Sequence, residues 1–341
     1  MSTAGRRGFI TGGTWCVDRN KLIDYWPEEN GISHILSEER RNGGSGSNLA
    51  IDMKKLDPSM PVETITLVGD DDDGRFLMAE ADAYGIDRSR VTVSAEAPTH
   101  YTDCFGSQRT GRRTHITFQG SGALLTPDHF DFSTSTARIA HLGLPGEHRA
   151  MDVPWRGDAN GWVTVLKKAR AAGLMTNLEL VSIEPDRVAA LIRPCLPHLD
   201  LLIVNDHEIG AVVGMTTLTK DGTDIAACIA AAKAVLAAGT MQLVAVHFPA
   251  GGLVVTRAGE LIRRPSCKVP VSEIVGANGA GDAFAAGFLY GFHEGWPLTD
   301  CLRLAHASAG ASLRAISTSG AVETWQECLA LAESWGDRDP I

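Results

Sequence analysis

The segment with the most chemical content is Glu273–Gly295, EIVGANGAGDAFAAGFLYGFHEG. Val271–Val275 is apolar enough for a short strand, and Pro270 is tolerated at a strand's start. A glycine-rich turn follows, Gly276-Ala277-Asn278-Gly279-Ala280-Gly281, and then Asp282. Phe284, Phe288 and Phe292 recur at helical spacing and predict a helix with one apolar stripe, in which Gly287 and Gly291 would allow close packing. A helix that opens from such a turn begins with unpaired backbone N–H groups, and its dipole makes that end an anion site. Small residues let a phosphate approach the backbone closely. An aspartate there is electrostatically comfortable and is expected to stay ionised. It can accept a proton from a hydroxyl that attacks the neighbouring phosphate. Taken alone, Asp282 also suits a plain helix-start carboxylate. No GxxxxGK[ST] occurs and no GxGxxG follows the first strand, so neither a P-loop nor a dinucleotide fold is indicated.

The elements that must position this turn alternate along the chain. Gly8–Thr11, Thr64–Val68, Arg138–Leu142, Leu174–Val181, Leu201–Val204 and Leu243–Phe248 read as strands. Asn48–Leu56, Arg75–Tyr84, Gly161–Ala172, Thr223–Ala238 and Asp300–Ala315 read as helices. Such alternation predicts an α/β fold with a central, mostly parallel sheet and helices on both faces. Two segments break the rhythm. Lys21–Glu39 is polar and interrupted by Pro27 and Gly31, and Arg90–Gln119 carries short alternating runs at Val91–Val93, Cys104–Gln108 and His115–Phe118. A small antiparallel sheet away from the main one is expected there, suited to a flap over substrate.

Composition narrows the function further. The 341 residues include 31 Lys and Arg against 41 Asp and Glu, a formal charge of -10, which argues against nucleic acid or anionic membrane as partner. Arg109, Arg112 and Arg113 read as a solvated turn. The seven cysteines are widely spaced without a CxxC pair, so neither a disulfide framework nor a zinc site is expected. Met1–Gly13 lacks the apolar run of a signal peptide, and a reducing, cytoplasmic setting is the expectation.

The run GAGDAFAAGF closely resembles the C-terminal signature of the ribokinase-like family, the PfkB carbohydrate kinases. Arg41–Ala50, RNGGSGSNLA, resembles the family's N-terminal signature. Asn205-Asp206-His207-Glu208 is similar to its N-x-x-E motif, and Val68–Leu77, VGDDDDGRFL, to a recurrent structural segment. The likeness spans nearly the whole chain. It implies a single kinase domain over residues 1–341 with a β-lid built from segments near 19–42 and 90–120. Lid pairing makes many members homodimers.

The resemblance also implies roles. Asp282 would be the catalytic base, with Gly279, Ala280 and Gly281 forming the anion hole. Asp18, Gly43, Gly44 and Asn48 would hold the acceptor's other hydroxyls. ATP would lie near Asn205, Gly251 and Asn278, its adenine near Gly310 and Ser317–Gly320, with His247 facing it. Glu208 would position Mg²⁺, usually through water. Singly, Gly43-Gly44 also suits a turn, Asp18 a surface cap, Glu208 a solvated first-turn residue and His247 a strand-end histidine. The family's D-T-x-G-A-G-D is here Gly276-Ala277-Asn278 before Gly279, and the missing Asp argues against activation by K⁺. The family's D-x-N pair appears as Asn177-Leu178-Glu179. A sugar kinase is the leading expectation. A nucleoside kinase and a non-catalytic sugar or nucleotide sensor are the alternatives.

Overall fold

The computed structural model describes residues 5–341. The chain enters on β1 (Phe9–Gly13), runs out through β2 (Cys16–Ile23) and β3 (Ile35–Gly43), and returns on α1 (Ser45–Leu56) to β4 (Val62–Gly69). Then come α2 (Asp72–Ala83), β5 (Asp87–Ser94), β6 (Tyr101–Ser107), β7 (Arg113–Phe118), β8 (Ile139–Gly143), α3 (Gly161–Ala171), β9 (Met175–Leu178) and α4 (Pro185–Ile192). They are followed by β10 (Leu201–Asn205), α5 (Asp206–Val213), a small hairpin of β11 (Leu218–Thr219) and β12 (Gly222–Thr223), and α6 (Ile225–Ala238). The last third holds β13 (Leu243–Phe248), β14 (Gly251–Thr256), β15 (Leu261–Pro265), α7 (Ala280–His293), α8 (Leu298–Ser312) and α9 (Trp325–Trp335).

Nine strands form the main sheet in the order β15-β14-β13-β10-β9-β8-β1-β4-β5. From β13 to β5 every pairing is parallel, and β14 and β15 close one edge antiparallel. Successive residues of a strand face opposite sides. Phe9, Ile139, Leu201 and Leu243 therefore pack with α1, α7 and α8 on one face. Ile10, Ala140, Leu202 and Val244 pack with α3 and α6 on the other. The continuous apolar character of these strands follows from burial on both faces.

The four-stranded sheet β3-β2-β6-β7 corresponds to the expected lid. It differs from expectation in two ways. The pairing of β2 with β6 is parallel, so the lid is mixed rather than antiparallel. Val91–Val93 belongs to β5, which pairs with β4 at the edge of the main sheet, so the second lid segment begins only at Tyr101. The period-2 pattern of β5 is common to any half-buried edge strand and does not say which sheet the strand joins. The first segment likewise starts earlier, at Cys16.

Val271–Val275 is not a strand. A single 3₁₀ turn spans Val271–Glu273, and Val271 and Val275 are largely exposed, with no neighbouring strand to complete a ladder. The segment expected as a strand over Leu174–Val181 stops at Leu178, where the chain leaves the sheet. Three helices lay beyond the periodic reading. Pro185 opens α4 at a position that needs no N–H donor, and capping boxes open α5 (Asn205 with Glu208) and α9 (Thr324 with Glu327). Val68–Leu77 has the structural role expected of it. Asp71 caps α2, accepting from Gly74 N at 2.8 Å, Thr99 N at 2.7 Å and Thr99 Oγ1 at 2.6 Å.

The stripe of Phe284 and Phe288 is fully buried and Phe292 partly so. Here α7 meets α8 at close range. A Cβ on Gly287 would lie 2.7 Å from both Leu304 O and Ser308 Oγ, and one on Gly291 would lie 3.1 Å from Cys301 Sγ. The Gly287→Val variant should lose about 2 kcal/mol or more of stability by overpacking this seam, read as a lowered Tm in thermal unfolding.

Candidate active site

Helix α7 starts at the floor of a cleft between the main sheet and the lid. Gly279 is its N-cap, with φ 75°, and a Cβ there would strike the backbone of Thr318. Only glycine takes this conformation without strain. The first intrahelical bond runs from Ala283 N to Gly279 O at 2.9 Å, so the N–H groups of Ala280, Gly281 and Asp282 precede the ladder.

Two cavities flank this turn. The first, of about 510 Å³, is lined by Asp18, Gly44, Asn48, Gly279, Asp282 and Glu208 together with lid residues Thr102 and His115. The second, of about 470 Å³, is lined by Asn205, His247, Ala280, Gly281, Gly310 and Leu313. The signature residues at the two ends of the chain thus converge. Asn48 Nδ2 donates to Asp282 Oδ2 at 3.1 Å, and Thr318 Oγ1 donates to Asn48 Oδ1 at 2.8 Å.

Asp18 stands on lid strand β2, facing Gly43 across the β2–β3 pair, two residues beyond its register partner Arg41. A Cβ on Gly43 would occupy the space of the Asp18 carboxylate, so Gly43 makes room for that group rather than lining the cavity itself. Gly44, with φ 88°, carries the chain into α1. On α5, Glu208 accepts from Asn205 N at 3.1 Å and from Ser182 Oγ at 3.2 Å. His247 stacks against Phe284, 4.8 Å between ring centroids, and burial brings its pKa down to about 4, so the ring is neutral.

Some sequence-predicted residues lie elsewhere. Gly251 begins β14 and packs against Arg264 O and Ile341, outside the lining of either cavity, because its lack of a side chain serves strand packing. Asn278 lines the first cavity, not the second, together with the lid's His115. Ser317–Gly320 is away from the second cavity. Thr318 holds Asn48, and Lys55 Nζ donates to Ser319 O at 2.6 Å. Arg113 is not merely a solvated turn residue. Its guanidinium fills the space beside Gly276, joining the lid to the glycine-rich turn.

The profile of the pfkB family carbohydrate kinase matches residues 16–325. The chain belongs to that family. It is an ATP-dependent carbohydrate kinase with the ribokinase-like fold. A 5-dehydro-2-deoxygluconokinase of Shouchella clausii is 26% identical over 334 residues, covering 95% of each chain. The ribokinase of Arabidopsis thaliana solved with ribose and ATP superimposes with a TM-score of 0.76 at 22% identity, covering 96% of this chain and 99% of that one. The Giardia lamblia ribokinase gives 0.80 at 18% identity, covering 97% and 100%. No helix among the described residues is long and apolar enough to cross a membrane.

The electrostatics of this kinase depart from what the sequence suggested. Asp282 is not held as a comfortable anion. Burial first, and then the neighbouring Glu179, push its carboxyl well above the usual range. Burial likewise lifts Glu179 to about 7 and Asp18 to about 7, with Asp282 adding to the shift at Asp18. Glu208 is raised by burial. The helix dipole favours the ionised aspartate, but desolvation and like charge outweigh it. Glu179 was visible only as a substituted member of a pair, and nothing in its neighbours' types marked it as facing Asp282.

A carboxyl raised in the folded state binds its proton more tightly there than in the unfolded chain. Its contribution to stability is full below the unfolded pKa and is lost as pH rises through the folded value. For Asp18 that window runs from 3.8 to about 7. The Asp18→Asn variant should therefore gain Tm relative to wild type across this window and show a constant difference above it, measured by calorimetry at stepped pH.

Proposed function

We propose that this kinase transfers the terminal phosphoryl group of ATP to a hydroxyl of a neutral, polyhydroxylated sugar, with Asp282 as the base. The observation that carries the reading is the position of Asp282 in the first turn of α7. The hydrogen-bonded Asn48 and the first cavity lie beside it, and the free amides of Ala280 and Gly281 open to the second. The first cavity is the acceptor site. Asp18, Gly44 and Asn48 orient the acceptor, and Gly43 keeps Asp18 in place. The second cavity takes the nucleotide, with Gly310 and Leu313 on α8 and its end beside the base and Asn205 towards the phosphates. Amides at the start of α7 stabilise charge that develops on the group in transfer.

Magnesium fits this arrangement, because Glu208 brings a carboxylate to the wall of the cavity that Gly279 and Asp282 also line. An ion held mainly by phosphates and water, with Glu208 orienting that water, would supply charge neutralisation. Asp282 must be ionised to act, and it withdraws the acceptor's hydroxyl proton as that oxygen attacks. Lid strands β2, β6 and β7 exclude water from the acceptor.

The acceptor cavity is lined by Asp18, Glu147, Glu179, Glu208 and Asp282 and, among the described residues, by no Lys or Arg. Like charge opposes an acidic substrate. In an ADP-release assay over neutral sugars, nucleosides and sugar acids, neutral sugars should react best. A sugar acid such as 5-dehydro-2-deoxygluconate, after which the Shouchella clausii relative is named, should show kcat/KM at least about tenfold lower. Preferred turnover of the acid or of a nucleoside overturns this choice of acceptor. The Asp282→Asn variant should lose about 10² to 10⁴ in kcat with the best acceptor, and near-normal turnover removes Asp282 from the role of base.

The lid exposes Leu22, Ile35, Leu36 and Ile116. Pairing of two lids in a homodimer would cover such apolar surface, and sedimentation at micromolar concentration distinguishes dimer from monomer. The seven cysteines are buried and unpaired, which fits a reducing, cytoplasmic setting.

A further inference from the structure

A row of buried polar groups stands next to Asp282, and the transfer reaction as described does not use it. Glu179 follows β9, anchored by its own N–H to Leu142 O at 2.8 Å, and its carboxyl lines the first cavity beside that of Asp282. Its Oε2 lies 2.6 Å from His141 Nε2. His141 Nδ1 in turn lies 2.9 Å from Asn177 Nδ2. His141 and Asn177 face each other in the β8–β9 register and are 0% and 1% exposed.

The chemistry of the row follows from its donors. Asn177 donates to Nδ1, so the imidazole is neutral and carries its proton on Nε2, which donates to Glu179. Burial, which draws His141 down to about 4, agrees with a neutral ring. One oxygen of Glu179 is thus held, and its second is left to Asp282. Two half-buried carboxyls that share one cavity wall do not both ionise readily, and a single proton between them satisfies both.

We propose that Asp282 and Glu179 share one proton, and that Glu179, oriented by His141 and Asn177, is the positioning residue that sets the pH at which Asp282 becomes a base. The inference rests on the kinase reading given above. In the transfer step the acceptor's O–H bond breaks and its electrons form the new O–P bond. The P–O bond to departing ADP breaks, and the proton enters the pair, to be returned to water once product leaves. Other charged or titratable groups also face the pair. They are Asp18 on β2, Asp52 on α1 with Lys55 behind it, His141 on β8 and Glu208 on α5. All but His141 and Lys55 are acidic, and among the charged neighbours Glu179 raises Asp282 most.

Two measurements on the full-length kinase test the pair. In the Glu179→Gln variant the acid limb of kcat/KM against pH should fall by about one pH unit or more, because no carboxylate then opposes ionisation of Asp282. Glu179→Asp should return the limb towards wild type. A limb that stays at the wild-type position overturns the proposal. The second measurement needs no turnover. Wild type should lose stability between the ordinary carboxylate range and pH about 7, the value to which Glu179 is raised. Glu179→Gln and Asp282→Asn should each remove much of that loss, and the double variant should add little to the larger single effect. Additive effects overturn the pair, even where kinase activity is found. Coupled effects with no acceptor that releases ADP would instead leave the pair standing and remove the kinase reading. Should Glu179→Gln not fold, Glu179→Asp takes its place in the cycle.

Discussion

A helix must begin, with its amides unpaired, beneath a space that two different molecules can enter from two sides. Gly279 makes this possible. Its left-handed backbone and missing Cβ let the turn lie against Thr318, so that α7 starts in the cleft rather than at the surface. The constraint propagates outward. The seam of Gly287 and Gly291 against α8 fixes the axis of α7, and the phenylalanine stripe roots it on the sheet. Asn48, brought in by α1, then orients the carboxylate that the helix presents.

Burial gives this carboxylate its character. A solvated aspartate at a helix start would be a weak base, ionised across the whole physiological range. Enclosed by Glu179, Asp18 and Asp52, the same group holds its proton longer and takes one more readily. An acidic wall is costly to ionise without a ligand, yet it suits the proposed acceptor, whose hydroxyl groups can each donate to a carboxylate.

Much of the architecture was legible because parallel strands covered on both faces leave long apolar runs between helical patterns. The glycine-rich turn was legible because its residue types have few other uses. What could not be read was whatever depends on which strands become neighbours. Val91–Val93 has the alternation of a lid strand and belongs to the main sheet. Val271–Val275 has the composition of a strand and lacks a partner. Within the site, Asp18, Asn48 and Asp282 come together as their motifs suggested, whereas Gly251 and Asn278 face other ways than expected. Glu179 is the clearest case. Its importance comes from lying next to Asp282, 103 residues further along the chain, and no local pattern encodes that distance.

The parallel ladder between β2 and β6 has a mechanical consequence. Asp18 pairs with Thr102 in that ladder, and β6 pairs onward with β7, which carries Arg113 and His115. The hydrogen-bonded strands transmit displacement as a stiff plate. A tilt that moves Asp18 away from the cavity must also draw Arg113 from Gly276. In the proposed acceptor site, the position of Asp18 and the lid's contact with the glycine-rich turn are therefore one degree of freedom.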